Sequence, residues 1–101
     1  MIELLVLPAW NAPPTTLDDW SSALSAQGYP VLVDREPDGV IWLEVAILRL
    51  RGYVELEEGQ VTAVNFELHD PDPSAATEAI ETAAKALGWE VYPDDGEEED
   101  E

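Results

Sequence analysis

The 101-residue chain has no cysteine, one histidine, one lysine and one phenylalanine. Without cysteine there is no disulfide framework, thiolate metal site or cysteine nucleophile, which suits a reducing compartment. A lone histidine, His69, excludes a two-histidine zinc site. No apolar run is long enough to span a bilayer. The opening segment Met1–Pro8 places Glu3 where a secretory signal needs basic residues, so a soluble, cytoplasmic protein is expected. There is no glycine-rich phosphate loop. Ser21, Ser22, Ser25 and Ser74 have no histidine or lysine at the spacing of a nucleophilic motif, and no internal repeat is present.

Basic residues are the scarcest class. Arg35, Arg49, Arg51 and Lys85 face 23 acids, for a formal net charge of −19. Solubility alone asks for a magnitude of roughly 2–8 in a small domain. Seven acids fall in the last eight residues, Asp94, Asp95, Glu97, Glu98, Glu99, Asp100 and Glu101. Setting them aside leaves 16 acids against 4 bases, a net of −12, so the body of the chain is acidic in its own right. Such a surface repels nucleic acid and anionic lipid and attracts basic proteins. The expected partner is therefore a basic, nucleic-acid-binding protein, with no direct nucleic-acid or membrane contact.

What is present is a folding pattern. Apolar residues make up 46% of the chain, enough for a core, and the length suits one domain. We expect a single α+β domain over 1–93 and a low-complexity, disordered acidic tail over 94–101. Residues 2–7 form an almost wholly apolar run, the pattern of a strand covered on both faces. Pro8, Pro13 and Pro14 mark a loop. Thr15-Thr16-Leu17-Asp18-Asp19 starts a helix that buries Leu17, Trp20 and Leu24, with Ala23 beside them, and Gly28 ends it. A strand follows from Tyr29 to Asp34, then a turn at Glu36-Pro37-Asp38-Gly39.

From Val40 to Leu56 no turn signal appears. The spacing predicts one long strand with a bend or bulge near Val45-Ala46. Leu48, Leu50, Gly52, Val54 and Leu56 then alternate with Arg49, Arg51, Tyr53 and Glu55, and Thr62, Val64, Phe66 and Leu68 with Ala63, Asn65, Glu67 and His69. These two apolar sets share a face only if paired residues sum to an even number. A three-residue loop Glu57-Glu58-Gly59 satisfies this and pairs Leu50 with Phe66, Gly52 with Val64 and Arg49 with Glu67. Asp70-Pro71-Asp72-Pro73-Ser74 breaks the strand and caps a second helix through Asp72 or Ser74. Its buried stripe is Ala76, Ile80, Ala83, Ala84 and Leu87. Gly88 closes the helix, and Trp89–Tyr92 makes a final strand. The order β-α-β-β-β-α-β, or βαββαβ if the long central stretch is one bent strand, predicts a ferredoxin-like two-layer sandwich, a mostly antiparallel sheet with two helices on one face.

Three constellations carry chemical meaning. Asp34-Arg35-Glu36-Pro37-Asp38-Gly39 resembles the first half of an EF-hand loop, but the twelfth position is Val45 rather than a bidentate glutamate, so it reads as a hairpin turn. His69 beside Asp70 and Asp72 has the composition of a base or a metal site; as a surface residue at a strand end it needs no such role. The outer sheet face collects Trp42, Glu44, Arg49, Arg51, Tyr53, Glu55 and Glu67, with Asn65, an arginine–aromatic composition typical of binding hot spots. Cross-strand neutralisation of acids is the plainer account of the same residues. Of the tryptophans, Trp20 and Trp89 suit the core, and Trp10 in the proline-rich loop suits exposure. No catalytic, cofactor or metal residue is assigned.

The function expected is binding rather than catalysis: an acidic inhibitor or decoy occupying the basic surface of a nucleic-acid-handling protein. In size and charge the chain resembles small immunity proteins for nuclease toxins and phage antirestriction or anti-CRISPR proteins. DNA carries one charge per about 1.7 Å of axis, a density that carboxylates on a rigid domain can imitate. The partner-binding residues would be the outer-face set together with Asp94, Asp95, Glu97, Glu98 and Glu99. Two alternatives stand beside this one. Acidity can be adaptation to a salty cytoplasm, or the chain can be a small metal-binding or enzymatic domain using His69 and Asp70. An open edge at strand 61–69, or at the strand beginning at Tyr29, would also permit a homodimer.

Overall fold

The computed structural model describes residues 2–93. Asp94, Asp95, Glu97, Glu98 and Glu99, the tail residues expected to bind a partner, lie outside them. The elements run β1 (Ile2–Pro8), α1 (Leu17–Ser25), β2 (Leu32–Arg35), β3 (Ile41–Val45), β4 (Leu50–Glu57), β5 (Gln60–Leu68), α2 (Ser74–Leu87) and β6 (Trp89–Pro93). The strands form one sheet in the order β2-β3-β4-β5-β1-β6, and every neighbouring pair is antiparallel. Both helices share one core with a single face of that sheet, giving a two-layer α+β sandwich.

The expected β-α-β-β-β-α-β order is one strand short. The stretch from Val40 to Leu56 does not merely bend at Val45-Ala46; it reverses, so that Val45 faces Leu50. A 3-10 turn over Ala46–Leu48 and Arg49 at φ 55° make the reversal. Glycine, proline, asparagine and aspartate are all absent from it, and a non-glycine residue in the left-handed region is uncommon. That is why no turn signal is visible there. The N–H of His69 donates to the Arg49 carbonyl at 2.9 Å, tying the reversal to the end of β5.

The β4–β5 register keeps the expected parity but is offset by two residues. Leu50 faces Leu68, Gly52 faces Phe66, Val54 faces Val64 and Arg51, rather than Arg49, faces Glu67. The device also differs. The hairpin closes through two residues, Glu58 at φ 54° and Gly59 at φ 82°, both left-handed as the native strand twist favours. On its own this loop would set leucines opposite charges. A bulge between Glu55 and Leu56, where Ala63 and Val61 are their partners, inserts Thr62 and restores the parity. The Thr62 hydroxyl donates to the Glu55 carbonyl at 3.2 Å within the bulge.

β1 lies in the interior of the sheet, between β5 and β6. Its apolar run does not mean cover on both faces: Leu4 and Val6 are buried, whereas Leu5 and Leu7 are only half-buried on the side away from the helices. β5, one of the two strands considered for an open edge, is also interior; β2 is an edge.

Thr16 caps α1 with a full capping box. Its hydroxyl accepts from the Asp19 N–H at 3.1 Å, and the Asp19 carboxylate accepts from the Thr16 N–H at 2.9 Å. The helix ends at Ser25, and Gly28, at φ 96°, lies two residues beyond the Ala26 cap. α2 begins at Ser74 with no side-chain cap from Pro73. Asp72 meets the exposed start of the helix instead, accepting from the Ser74 hydroxyl at 2.8 Å and its N–H at 3.3 Å. Ala76, Ala79, Ile80, Ala83 and Ala84 are buried, with Leu87 partly so. This stripe of small side chains seats α2 near the sheet.

The centre of the core is aromatic. Trp20 and Phe66 are fully buried with ring centroids 5.6 Å apart. Trp89 meets Trp20 edge-on at 5.4 Å. The Trp89 indole N–H donates to the buried Thr15 hydroxyl at 3.0 Å, and that hydroxyl donates to the Pro13 carbonyl at 3.1 Å. Phe66 lies across Gly52: a Cβ at residue 52 would stand 2.6 Å from the Phe66 ring and 2.9 Å from Val64. Phe66 cannot retreat, because Trp20 holds its other side. Gly52→Ala should therefore lower stability by about 1–3 kcal/mol, the range of core overpacking. Urea denaturation followed by tryptophan fluorescence measures it; an unchanged midpoint would mean that the ring has room to move.

Candidate functional site

The sheet face away from the helices is covered by no described residue and is built by alternation. On each strand the residues between the buried ones point outward. The register aligns them in rows. One row runs Leu32, Glu44, Arg51, Glu67 and Glu3 across five strands; the next runs Asp34, Trp42, Tyr53, Asn65, Leu5 and Tyr92 across all six. Glu55 and Glu90 stand at the margin of the second row. With strands about 4.8 Å apart, the face is roughly 24 Å wide. Six carboxylates, from Glu3, Asp34, Glu44, Glu55, Glu67 and Glu90, share it with a single arginine.

Arg51 occupies the middle of the acidic row, with Glu44 and Glu67 as its cross-strand neighbours. Its guanidinium pairs with neither. It lies over the Trp42 indole, with Cζ 3.8 Å from the ring centroid, and Trp42 in turn contacts Tyr53 at 5.4 Å. The buried Arg51 Nε has no hydrogen-bond partner among the described residues. Among the described residues the one ion pair within 4.0 Å is His69 Nε2 with Glu67 Oε1, at 3.3 Å. Neutralisation of acids across the strands is thus not what the arginines do here. The stack draws the central cation down onto the aromatic pair, and among the described residues no arginine or lysine pairs with the carboxylates around it.

Other groups on this face have local partners. The Asn65 amide donates to the Glu3 carboxylate at 3.5 Å, while its buried carbonyl oxygen has no partner among the described residues. The Tyr92 hydroxyl donates to the Glu90 carboxylate, and this hydrogen bond raises the Tyr92 pKa above the usual tyrosine value.

Of the seven outer-face candidates, six come together: Trp42, Glu44, Arg51, Tyr53, Glu55 and Glu67. Arg49 does not belong with them, since it sits in the β3–β4 reversal instead of on β4. It lines an open pocket of about 340 Å³ at the sheet end with Glu44, Ala46, Leu50, Arg51 and His69. Glu3, Leu5, Glu90, Tyr92, Leu32 and Asp34 are additions that sequence reasoning missed. Alternation in β1 is hidden because Leu5 and Leu7, on the outward side, are as apolar as the buried Leu4 and Val6. The docking of β6 beside β1 joins residues nearly ninety positions apart.

The constellation of His69, Asp70 and Asp72 is not assembled into one site. His69 turns to Glu67; Asp70 accepts from the Asp72 N–H at 3.0 Å, and Asp72 caps α2. Among the described residues no three histidine, aspartate or glutamate side chains converge on a point where a metal could sit. In the EF-hand-like segment Asp38 accepts from the Val40 N–H at 3.1 Å, and Gly39, at φ 93°, closes the turn. Trp10, in the proline-rich loop, is 96% exposed. No described helix is long and apolar enough to cross a membrane. No protein-family model, curated protein or solved structure matches the chain.

Two outcomes follow from these contacts. A double-mutant cycle of Arg51→Met and Trp42→Leu should return a coupling of about 0.5–1 kcal/mol for the stack, read from urea midpoints; zero coupling would show that the guanidinium does not rest on the ring. The second concerns Asp72, whose carboxyl is held below the usual aspartate value first by the Ser74 hydroxyl and then by the Ser74 N–H. A depressed folded pKa contributes stability above the unfolded pKa and loses it as pH falls through the folded one. Asp72→Ala should accordingly lower the midpoint at pH 7 and lose its effect in strong acid. An equal loss at both extremes would assign the effect to something other than the charge.

Proposed function

We propose that this protein acts by binding, with its open sheet face set against the basic surface of a nucleic-acid-handling protein, as an inhibitor or decoy. The observation that carries the reading is the face itself: six carboxylates around one arginine that is engaged with Trp42 instead of with them. A sheet fixes the backbone that carries those charges, so that only side-chain freedom is lost on binding. Trp42 and Tyr53 offer apolar area at the centre, the usual composition of a hot spot inside a charged surround. The arrangement favours a cationic protein and disfavours nucleic acid itself, and a net charge of −19 speeds encounter with such a partner. On this reading the scaffold is ferredoxin-like over β1, α1, β4, β5, α2 and β6, with the β2–β3 hairpin appended at one edge.

The test is affinity capture from host lysate with the full chain, eluted in a salt gradient, followed by titration of the captured protein. We expect a basic nucleic-acid-binding protein whose affinity falls steeply with salt. The triple variant Glu44→Gln, Glu55→Gln, Glu67→Gln should bind it at least tenfold more weakly while keeping the wild-type fold. Affinity indifferent to both salt and the triple variant would sink the proposal. Thermal melts at low and molar potassium chloride separate it from salt adaptation, which requires a fold that fails without salt.

A further inference from the structure

We infer that the β2 edge is a docking strand, on which an extended, lysine- or arginine-bearing segment of the partner adds to the sheet by backbone pairing. The inference rests on the reading of a basic partner above and specifies how that partner is held. β2 is an outer strand, and the register decides which of its backbone groups look outward. The Glu36 N–H donates to the Val40 carbonyl at 2.8 Å, which makes 36–40 a hydrogen-bonded pair. In an antiparallel ladder such pairs alternate with unbonded ones. The next bonded pairs are therefore Asp34–Trp42 and Leu32–Glu44, and Val33 and Arg35 turn their N–H and C=O groups away from β3. Val31 continues the alternation just before the strand. An open ladder of this kind is a template for another strand.

Proteins usually blunt such edges with lysine, proline or a bulge. β2 is short, four residues, and carries the charges of Asp34 and Arg35, but it has no lysine, its register with β3 is unbroken, and Pro30 and Pro37 bracket the strand without interrupting it. Beside it lies a groove of about 440 Å³ lined by Pro30, Val31, Leu32, Glu44, Ala46 and Ile47. Leu32 is 60% exposed and Ile47 69%, so an unpaired ladder and an apolar surface stand side by side.

Charge selects the occupant. Asp34, Glu36, Asp38 and Glu44 surround this edge; Arg35 is the base on the strand itself, and Arg51, the cross-strand neighbour of Glu44, is engaged with Trp42. A second copy of the chain would bring the same acids, and a further formal charge of −19, into contact. A basic strand brings the opposite sign. Its lysine stems would cover Leu32 and Ile47 while their ammonium groups reach Asp34 and Glu44, as long cationic side chains do over apolar ground. The alternate, apolar side chains would lie toward Val31 and Val33 on the helix side.

The probe is a ten-residue peptide of alternating lysine and valine, added to the full chain and followed by NMR amide exchange. A control peptide of the same sequence carries N-methyl groups at every second residue and cannot pair. The Val33 and Arg35 amides should exchange at least tenfold more slowly with the first peptide and be unaffected by the control. Val33→Pro removes an outward N–H that no neighbouring strand uses, a position where an edge tolerates proline, and should weaken peptide binding at least tenfold. Ile47→Ser, at an exposed site, should weaken it severalfold with the fold intact. Unchanged exchange at Val33 and Arg35 under saturating peptide, or equal binding by both variants, overturns the inference, as does a dimer that sedimentation detects and Val33→Pro dissolves. A basic protein bound through the glutamates but indifferent to Val33→Pro would overturn it while leaving the binding function standing. Binding of neither peptide nor basic protein removes the function and the inference together.

Discussion

The contact between Phe66 and the bare backbone of Gly52 is the constraint around which the domain is organised. Because residue 52 has no side chain, the Phe66 ring drops onto β4 and leaves space above it for the Trp20 indole. Trp20 brings α1 to the sheet, and its edge-on meeting with Trp89 connects α1 to β6. Thr15 then accepts the Trp89 N–H and ties the loop before α1 to the same point. One small residue in β4 thereby sets the depth of packing for a helix, two strands and a loop. The Trp20 Nε1 is buried without a partner, so its ring is held by shape rather than by a hydrogen bond. Leaving such a donor unsatisfied costs about 1–3 kcal/mol, which the area buried by three large aromatic rings must outweigh.

The same alternation that buries one face of the sheet loads the other with charge. With both helices used on the inner side, the outward positions of six strands become one continuous surface. Its chemistry comes from scarcity: with so few bases, most of its acids have no cation to pair with. Arg51 has carboxylates on both flanking strands, yet it stacks on Trp42. An exposed ion pair is worth little in water, whereas a guanidinium over an indole also buries apolar area. The local preference of one arginine leaves the negative character of the whole face intact.

Much of the fold was legible because it is written in local chemistry. The threonine cap and acidic first turn of α1, the Leu17, Trp20 and Leu24 face, the Glu36–Gly39 turn and the alanine stripe of α2 depend on residues a few positions apart, where periodicity and capping rules apply. Six of seven outer-face residues were also readable, since even and odd positions on a strand part to opposite faces whatever the register. Three features were not. The reversal at Ala46–Arg49 uses no turn-forming residue and places Arg49 in a conformation that its type rarely adopts. The β4–β5 register depends on a bulge at Thr62 that compensates a two-residue turn; parity reasoning found the sum to be even but chose a longer loop to make it so. The half-exposure of Leu5 and Leu7 contradicts what an unbroken apolar run suggests.

The sequence alone determined the acidic character, the absence of cysteine chemistry, the helices with their buried stripes, and which residues of each strand share a side, because these depend on composition and on periods of two and 3.6 residues. Only the tertiary structure decided which strands are neighbours, and with that the membership of the functional face. Glu3 and Glu67, or Leu5 and Tyr92, become neighbours through hydrogen-bonded pairing between distant segments. The outward ladder of β2 and the stacking of Arg51 on Trp42 belong to the same class. Strand order and register are settled by the collective packing of two helices on one sheet, a sum over long-range contacts that no short stretch of sequence contains.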